Sequence, residues 1–416
     1  MTLDARDRAL LDGAQGDGTS FAMRLVVRAA EVTGAPRLID ITGAHVDSCL
    51  YHGEASMDFV DRLVSGGARV SVPTTLNVGA VDLLHPELYR GDPGVAERGR
   101  LLMDRYRALG ARPTFTCAPY QLADARPSFG QHVAWGESNA IAFCNSVLGA
   151  RTNRYGDFLD IAAAITGRVP EAGLHLADER RATLILRLAD DVRAPLRDDD
   201  AFFGVLGIVL GRRAGSAVAV IEGLGPGQSE DRLKAIGAAA ASAGSVAMFH
   251  VAGSTPEADL RVDEPAVVEV GLSELRAARD ELSDARGEDL AAVSLGTPHA
   301  SLAELERYAG LLGGRRALAG VELLISTGRD VLAEAEERGV AARLRAAGAE
   351  LLTDTCSYVA PILRTSSGPV MTDAAKWAYY APGNLGLEVV FGSTSECIAS
   401  AVAGRVIRDD RIWAVA

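Results

Sequence analysis

The sequence has only five cysteines, Cys49, Cys117, Cys144, Cys356 and Cys397, and no two of them form a Cys-x-x-Cys pair. A set this sparse and scattered excludes the disulfide framework of a small secreted domain, a structural zinc knuckle and a thioredoxin-type redox site. Long apolar runs are also missing. No stretch offers the roughly 18 uncharged apolar residues of a membrane span, so no membrane association is expected. The N-terminus, which begins MTLDARDRALL, carries a charge every few residues and lacks the unbroken apolar core of a signal peptide. A cytoplasmic protein is expected. Basic residues are in deficit: 42 Lys and Arg face 55 Asp and Glu, for a net charge of −13. Phosphate backbones need the opposite balance, so no nucleic-acid partner is expected.

What remains is the composition of an ordinary globular protein, 48% hydrophobic and 23% charged over 416 residues, enough for two or three packed units. Short β-rich runs alternate with longer helical patterns from end to end. The runs at Arg37–Ile41, Arg69–Val72, Thr114–Thr116, Thr183–Leu188, Ala217–Ile221, Val267–Val270, Ala291–Leu295, Gly320–Ile325 and Leu387–Phe391 predict strands. Apolar residues three and four apart predict helices over Ser301–Leu312 and Arg329–Ala346, and Met1–Gly34 reads as a helical region. The alternation predicts an α/β fold of largely parallel sheets, with turns between units at Gly211–Ser216 and Gly223–Asp231. In such folds ligands gather at the loops that leave the carboxyl ends of strands.

Three cysteines stand in polar, strand-exit contexts: Cys117 in Thr-Phe-Thr-Cys-Ala-Pro-Tyr, Cys356 in Thr-Asp-Thr-Cys-Ser-Tyr-Val and Cys397 in Gly-Ser-Thr-Ser-Glu-Cys-Ile. Their spacing fits both small buried thiols and three thiolate ligands of an iron centre with one position open to substrate. Packing or lining roles are expected for Cys49 and Cys144. The segment Gly130–Ala140 crowds His132, Glu137, Ser138 and Asn139 between glycines, and buried polar groups in such number suit a site better than a core. Shortly after it, Arg151 and Arg154 flank Thr152 and Asn153. Guanidinium forks in this pattern point to carboxylate binding.

Read together, these segments resemble the aconitase X family. The resemblance rests on Pro-Thr-Thr-Leu-Asn at Pro73–Asn77, Cys-Ala-Pro-Tyr at Cys117–Tyr120 and Gly-Gln-His-Val-Ala-Trp-Gly-Glu-Ser at Gly130–Ser138. It continues through Asn145–Arg154, Leu-Gly-Thr-Pro-His at Leu295–His299, Asp-Thr-Cys at Asp354–Cys356 and Lys-Trp-Ala-Tyr-Tyr-Ala-Pro at Lys376–Pro382, and so covers the family's large subunit. It implies an aconitase-like set of packed α/β/α subdomains spanning 1–416 around a metal site, with an internal boundary near 211–231. The implied chemistry is the removal of water from a small hydroxy acid. Cys117, Cys356 and Cys397 are the implied ligands of an iron–sulfur cluster (2Fe-2S or 4Fe-4S) or of mononuclear iron. Thr297 stands where some members carry Cys, which leaves the nuclearity open. His132, Glu137, Ser138 and His299 are the implied catalytic groups. His52, Asn77, Asn145, Arg151, Thr152, Asn153 and Arg154 are the implied substrate contacts.

The segment Ala44–Ser56 is similar to the cis-3-hydroxy-L-proline dehydratase branch, and a phosphomevalonate dehydratase large subunit is the alternative. A non-catalytic iron-binding or sensor protein is a reading of a different class. The family also needs a small swivelling domain, fused or separate, that carries the catalytic serine base. No such domain is found in this sequence, so a small-subunit partner is expected.

Overall fold

The computed structural model describes residues 1–285, 287, 289–364 and 368–414. They fall into two compact units, Met1–Val81 with Asp92–Arg181, and Asp82–Gly91 with Ala182–Ala416.

In the first unit, helices α1 (Ala5–Leu11) and α2 (Asp17–Val32) form the predicted helical start. Asp4 and Asp7 cap α1 reciprocally, each side chain accepting the other's backbone N–H at 2.8 and 3.0 Å. Strands β1 (Leu38–Asp40), β2 (Ala44–Val46), β3 (Thr74–Leu76), β4 (Ala134–Trp135) and β5 (Arg168–Pro170) make two small sheets. β3, β2 and β4 run parallel in that order, and β1 pairs antiparallel with β5. Helices α3 (Glu54–Ser65), α4 (Pro93–Ala108), α5 (Ser138–Ser146) and α6 (Leu159–Thr166) complete the unit, with α6 packed on α2.

Two expected strands are displaced here. Arg69–Val72 is irregular and the strand starts just beyond Pro73, a residue with no N–H for the ladder. Thr114–Thr116 is a loop, because Pro113 precedes it and Phe115 adopts a left-handed φ of 42°.

The second unit holds two wholly parallel sheets, as the alternating pattern predicts. The first contains β6 (Ala182–Leu188), β7 (Ala219–Glu222), β8 (Phe249–Val251) and β9 (Arg261–Val270) in the order β8-β7-β6-β9. With it go α7 (Ala194–Asp198), α8 (Asp200–Ala214), α9 (Glu230–Ala243) and α10 (Leu272–Glu281). The expected turn at Gly211–Ser216 lies mostly inside α8. Its glycines serve a helix crossing: a Cβ on Gly207 would sit 2.5 Å from the Ile236 carbonyl oxygen, and one on Gly211 2.7 Å from that of Ala240.

The second sheet contains β10 (Ala292–Ala300), β11 (Glu322–Thr327), β12 (Ala349–Leu352), β13 (Val370–Thr372) and β14 (Val389–Phe391), in the order β12-β11-β10-β13-β14. Helices α11 (Leu302–Leu312), α12 (Arg329–Glu337), α13 (Val340–Ala346), α14 (Ala375–Leu385) and α15 (Thr394–Ala403) connect and cover it. The single helix expected over Arg329–Ala346 is broken at Gly339, which takes a left-handed φ of 69°. Val293, Leu295, Leu305, Ile325, Leu344 and Ile398 form the core between this sheet and its helices. Among the described residues no helix is long and apolar enough to cross a membrane.

Candidate functional site

In the second unit His299, near the carboxyl end of β10, and Cys356, in the loop leaving β12, come together, both fully buried, with ligand atoms within 4.8 Å of each other. His299 Nε2 lies 3.1 Å from the Thr355 carbonyl oxygen, which can only accept. Nε2 therefore carries the proton, and the lone pair is left on Nδ1, the arrangement a metal-ligating imidazole needs.

The Cys356 loop is held from several directions. Asp354, at a left-handed φ of 61°, is gripped by Arg329 through two contacts of 2.5 and 2.7 Å and accepts the Leu83 N–H at 3.0 Å. Asp82 takes both the backbone N–H and the hydroxyl of Thr353 at 2.8 and 3.0 Å. Ser357 meets Ser294 at 2.7 Å and accepts the Trp377 indole N–H at 2.9 Å. Such fixed surroundings hold the Cys356 thiol in place.

Cys397 departs from the expectation. Its position on α15 directs it into the apolar core beside Leu305 and Ile398, where burial pushes the thiol well above its usual range. The structure does not gather it with His299 and Cys356. The ligand signal in this unit comes from His299 instead, which the sequence places among the catalytic groups.

In the first unit Cys117 is buried, and its loop is tied to α5: Asn139 donates to the Cys117 carbonyl at 2.9 Å and accepts from the Tyr120 hydroxyl at 2.8 Å. Tyr120 stacks on Phe143 with ring centroids 3.8 Å apart. Glu137 is the N-cap of α5, accepting the Ala140 N–H at 2.9 Å and an amide hydrogen of Asn139. Ser138 begins the same helix, half-buried, 3.3 Å from Glu137. These contacts make Glu137 first a capping group.

Most of the expected substrate contacts in this unit spend their hydrogen bonds on the chain itself. Asn145 exchanges two bonds with the Thr152 backbone, at 2.9 and 3.0 Å, and accepts from Arg180 at 3.1 Å. Thr152 takes the Trp135 N–H at 3.0 Å, and Asn153 bridges Ala172 and Leu174 at 2.9 and 2.8 Å. Arg151 donates to the His175 carbonyl at 2.8 Å. His132 lies 2.9 Å from the His175 ring, which in turn meets the Tyr155 hydroxyl at 2.6 Å. Burial drives His175 down to about 3, and burial, then the Arg151 charge, also lowers His132. By contrast, Arg154 and His52 stand exposed, and the Arg154 guanidinium makes no ion pair among the described residues.

Replacing Asn145 by Ala removes the clip between α5 and the Thr152 segment and leaves buried partners unpaired. A loss of about 2–4 kcal/mol in urea-unfolding stability is expected. An unchanged midpoint would mean that the clip is not structural.

Sequence reasoning missed a group of carboxylates around Asn77. Asn77 donates to Asp47, and Asp160 accepts the Asp47 and Ser48 N–H groups at 2.6 and 3.1 Å. Burial, then the nearby charges of Glu137 and Asp157, pushes Asp47 up to about 8, and burial pushes Asp160 up to about 7. The available signal was the polar segment Ala44–Ser56, in which Asp47 sits two residues before Cys49. For a carboxyl raised on folding, the stabilisation is complete below the ordinary carboxyl range and is lost as pH rises toward the folded value. The melting temperature is therefore expected to fall between about pH 5 and pH 8 and to fall less steeply in Asp47→Asn. Parallel pH profiles for the two proteins would contradict this assignment.

Parallel sheets with a buried His–Cys pair at the carboxyl ends of their strands define an α/β protein whose second unit offers ligand atoms for a metal ion. The chain matches the Aconitase X first domain at residues 1–178, the second domain at 182–280 and the third domain at 290–403. It belongs to the aconitase X family. It is 43% identical to cis-3-hydroxy-L-proline dehydratase of Pseudomonas aeruginosa, over 97% of this chain and 70% of that protein. With the enzyme of the same name from Hypocrea jecorina it shares 40% identity, over 97% and 69%. The phosphomevalonate dehydratase large subunit of Methanothermobacter thermautotrophicus is 37% identical over 94% of this chain and 96% of that one. The holo-form crystal structure of aconitase X from Thermococcus kodakaraensis superposes with a TM-score of 0.87 at 34% identity, covering 96% of this chain and all of that one.

Proposed function

We propose that this chain is the large, metal-bearing part of a hydro-lyase that converts cis-3-hydroxy-L-proline to Δ1-pyrroline-2-carboxylate. The observation that carries the reading is the His299–Cys356 pair with its preset tautomer, in a chain 40–43% identical to two proteins of that name. His299 and Cys356 are the proposed ligands of iron in the second unit, held as a single ion or as a cluster. When bound, iron supplies a Lewis acid for the departing hydroxyl.

The chain's own residues supply binding and orientation. The exposed fork of Arg154 receives the substrate carboxylate and stabilises charge that develops on it as the α-proton leaves. Arg151, tethered to the His175 carbonyl, keeps the Arg151–Arg154 segment in place behind it. Ser138 offers a hydroxyl at the amino end of α5, where the helix dipole favours an anionic group. In cis-3-hydroxy-L-proline the hydroxyl and the α-hydrogen lie on opposite ring faces, so the base must act from the face opposite the hydroxyl. A small partner bearing a serine fills that role.

The alternative substrate is mevalonate 5-phosphate, which needs a phosphate pocket. Ser393, one candidate for it, is already committed to capping α15 and lies 3.0 Å from Ser395. Assaying the iron-loaded complex on both substrates separates the two. Turnover of cis-3-hydroxy-L-proline with less than about one hundredth of that rate on mevalonate 5-phosphate is expected, a gap of about 2.7 kcal/mol. The reverse preference would overturn the assignment.

A further inference from the structure

Residues Asp82–Gly91 belong to the second unit, although the chain on both sides of them belongs to the first. They form a strap that is tied at each end to the chain around Cys356. At its start Asp82, only 3% exposed, accepts the Thr353 N–H and hydroxyl at 2.8 and 3.0 Å, and the Leu83 N–H donates to Asp354 at 3.0 Å. The Asp82 carboxylate also accepts the Leu84 and His85 N–H groups at 2.8 and 2.9 Å and lies 3.0 Å from His85 Nδ1. One buried anion therefore fixes the strap and the Thr353 backbone together. At the far end the Arg90 N–H donates to the Pro361 carbonyl at 2.7 Å, and Leu88 packs on Leu324, Leu352, Ala360 and Ile362.

Between these ties lies a turn that needs outside support. The Thr355 N–H donates back to the Thr353 carbonyl at 2.6 Å, closing a three-residue turn with Asp354 at its centre and a left-handed φ of 61°. A closed turn of this hand is rare and strained for a residue with a Cβ, and such backbone persists only where its surroundings over-determine it. Here Asp82 grips Thr353, the Leu83 N–H meets Asp354, and the Arg329 fork holds the Asp354 carboxylate at 2.5 and 2.7 Å. Asp354 is fully buried, and Arg329 reaches it from α12 with 27% of its side chain exposed. The turn does two things. It sets the Thr355 carbonyl 3.1 Å from His299 Nε2, and it delivers Cys356, whose own carbonyl accepts the Val359 and Ala360 N–H groups at 2.9 and 3.0 Å.

We infer that Asp82 and Arg329 are positioning residues for the iron: they hold closed the Thr353–Thr355 turn, through which the Cys356 thiol and the His299 imidazole are presented to the metal in one fixed geometry. The inference rests on the reading of His299 and Cys356 as iron ligands. Asp82 acts on the turn from the strap and Arg329 from α12, so the two supports are independent in sequence and converge on one strained residue. Once either is lost, Asp354 can relax toward ordinary backbone angles, and the thiol and the imidazole lose their common register. Groups that orient metal ligands in this way are typically worth about 10–100-fold in metal affinity.

The test is the rate at which the anaerobically prepared full chain releases iron to excess ferrozine, measured beside the melting temperature. Arg329→Met and Asp82→Asn should each release iron at least about tenfold faster than the unsubstituted chain. Arg329→Lys, which keeps the charge and loses the fork, should fall between. Val340→Ala, at a buried core position of the same unit, should lower the melting temperature and leave the release rate unchanged, which separates positioning from loss of stability. If Asp82→Asn fails to fold, Arg329→Met decides, because that side chain reaches the turn from a partly exposed position. An unchanged rate in Arg329→Met, or release as fast in Val340→Ala, would overturn the inference and leave the iron reading intact. An unsubstituted chain that holds no iron would overturn the iron reading, and the inference with it.

Discussion

Cys356→Ala is expected to strip the anaerobically prepared protein of most of its iron and to lower dehydratase activity by at least three orders of magnitude, about 4 kcal/mol of transition-state stabilisation. The loop that carries Cys356 is held through neighbouring residues, Asp354 by Arg329, Thr353 by Asp82 and Ser357 by Trp377. The fold should therefore survive the substitution, and metal content and melting temperature should separate cleanly. His299→Ala should follow the same pattern, since its Nε2 proton is already spent on Thr355 and its other nitrogen is the one lost. Cys397→Ala is the discriminating control. A thiol packed beside Leu305 and Ile398 contributes apolar contacts, so its removal should cost stability and leave iron in place. Iron measured per chain by mass spectrometry across the three variants decides. Iron lost in Cys397→Ala and retained in His299→Ala would restore the ligand set implied by the sequence motifs.

The contrast between Cys356 and Cys397 shows where sequence reading reaches its limit. Both cysteines follow a Thr- or Ser-rich strand exit, and on the page they look alike. What separates them is the helical register: Cys397 falls on the inward face of α15, while Cys356 stays in a loop, and local sequence does not display that difference. The parallel α/β architecture was legible because β-branched runs alternate with helical periodicity, and strands such as Thr183–Leu188 and Gly320–Ile325 lie nearly where they were expected. Among the short strands, β1 and β14 fall within expected runs, whereas β4, of two residues, and β13, of three, do not.

The polar segment around Arg151–Arg154 was found for a sound reason that was only partly functional. Asn145, Thr152 and Asn153 are polar because that stretch of backbone lacks regular partners and must be bonded by side chains. Of its two arginines, one is tied to a carbonyl and the other faces solvent. Asp47 escaped notice because a lone acid in a sequence carries no sign of its burial, and burial is what raises it.

The second large effect concerns the base. The groups assigned to this chain bind the substrate and its leaving hydroxyl, and the α-proton needs a positioned base that the proposal gives to a small partner. General-base assistance is typically worth about 10²–10⁴-fold, and a site closed by a partner excludes the water that weakens its electrostatics. The account is tested most directly by the rate at which the iron-loaded chain consumes cis-3-hydroxy-L-proline, measured with and without the small serine-bearing partner. It predicts enzyme-like turnover with the partner and at least a hundredfold less without it. Equal turnover by the chain alone would contradict the two-part account and direct the search for a base to Ser138. No turnover in either case would contradict the assigned substrate.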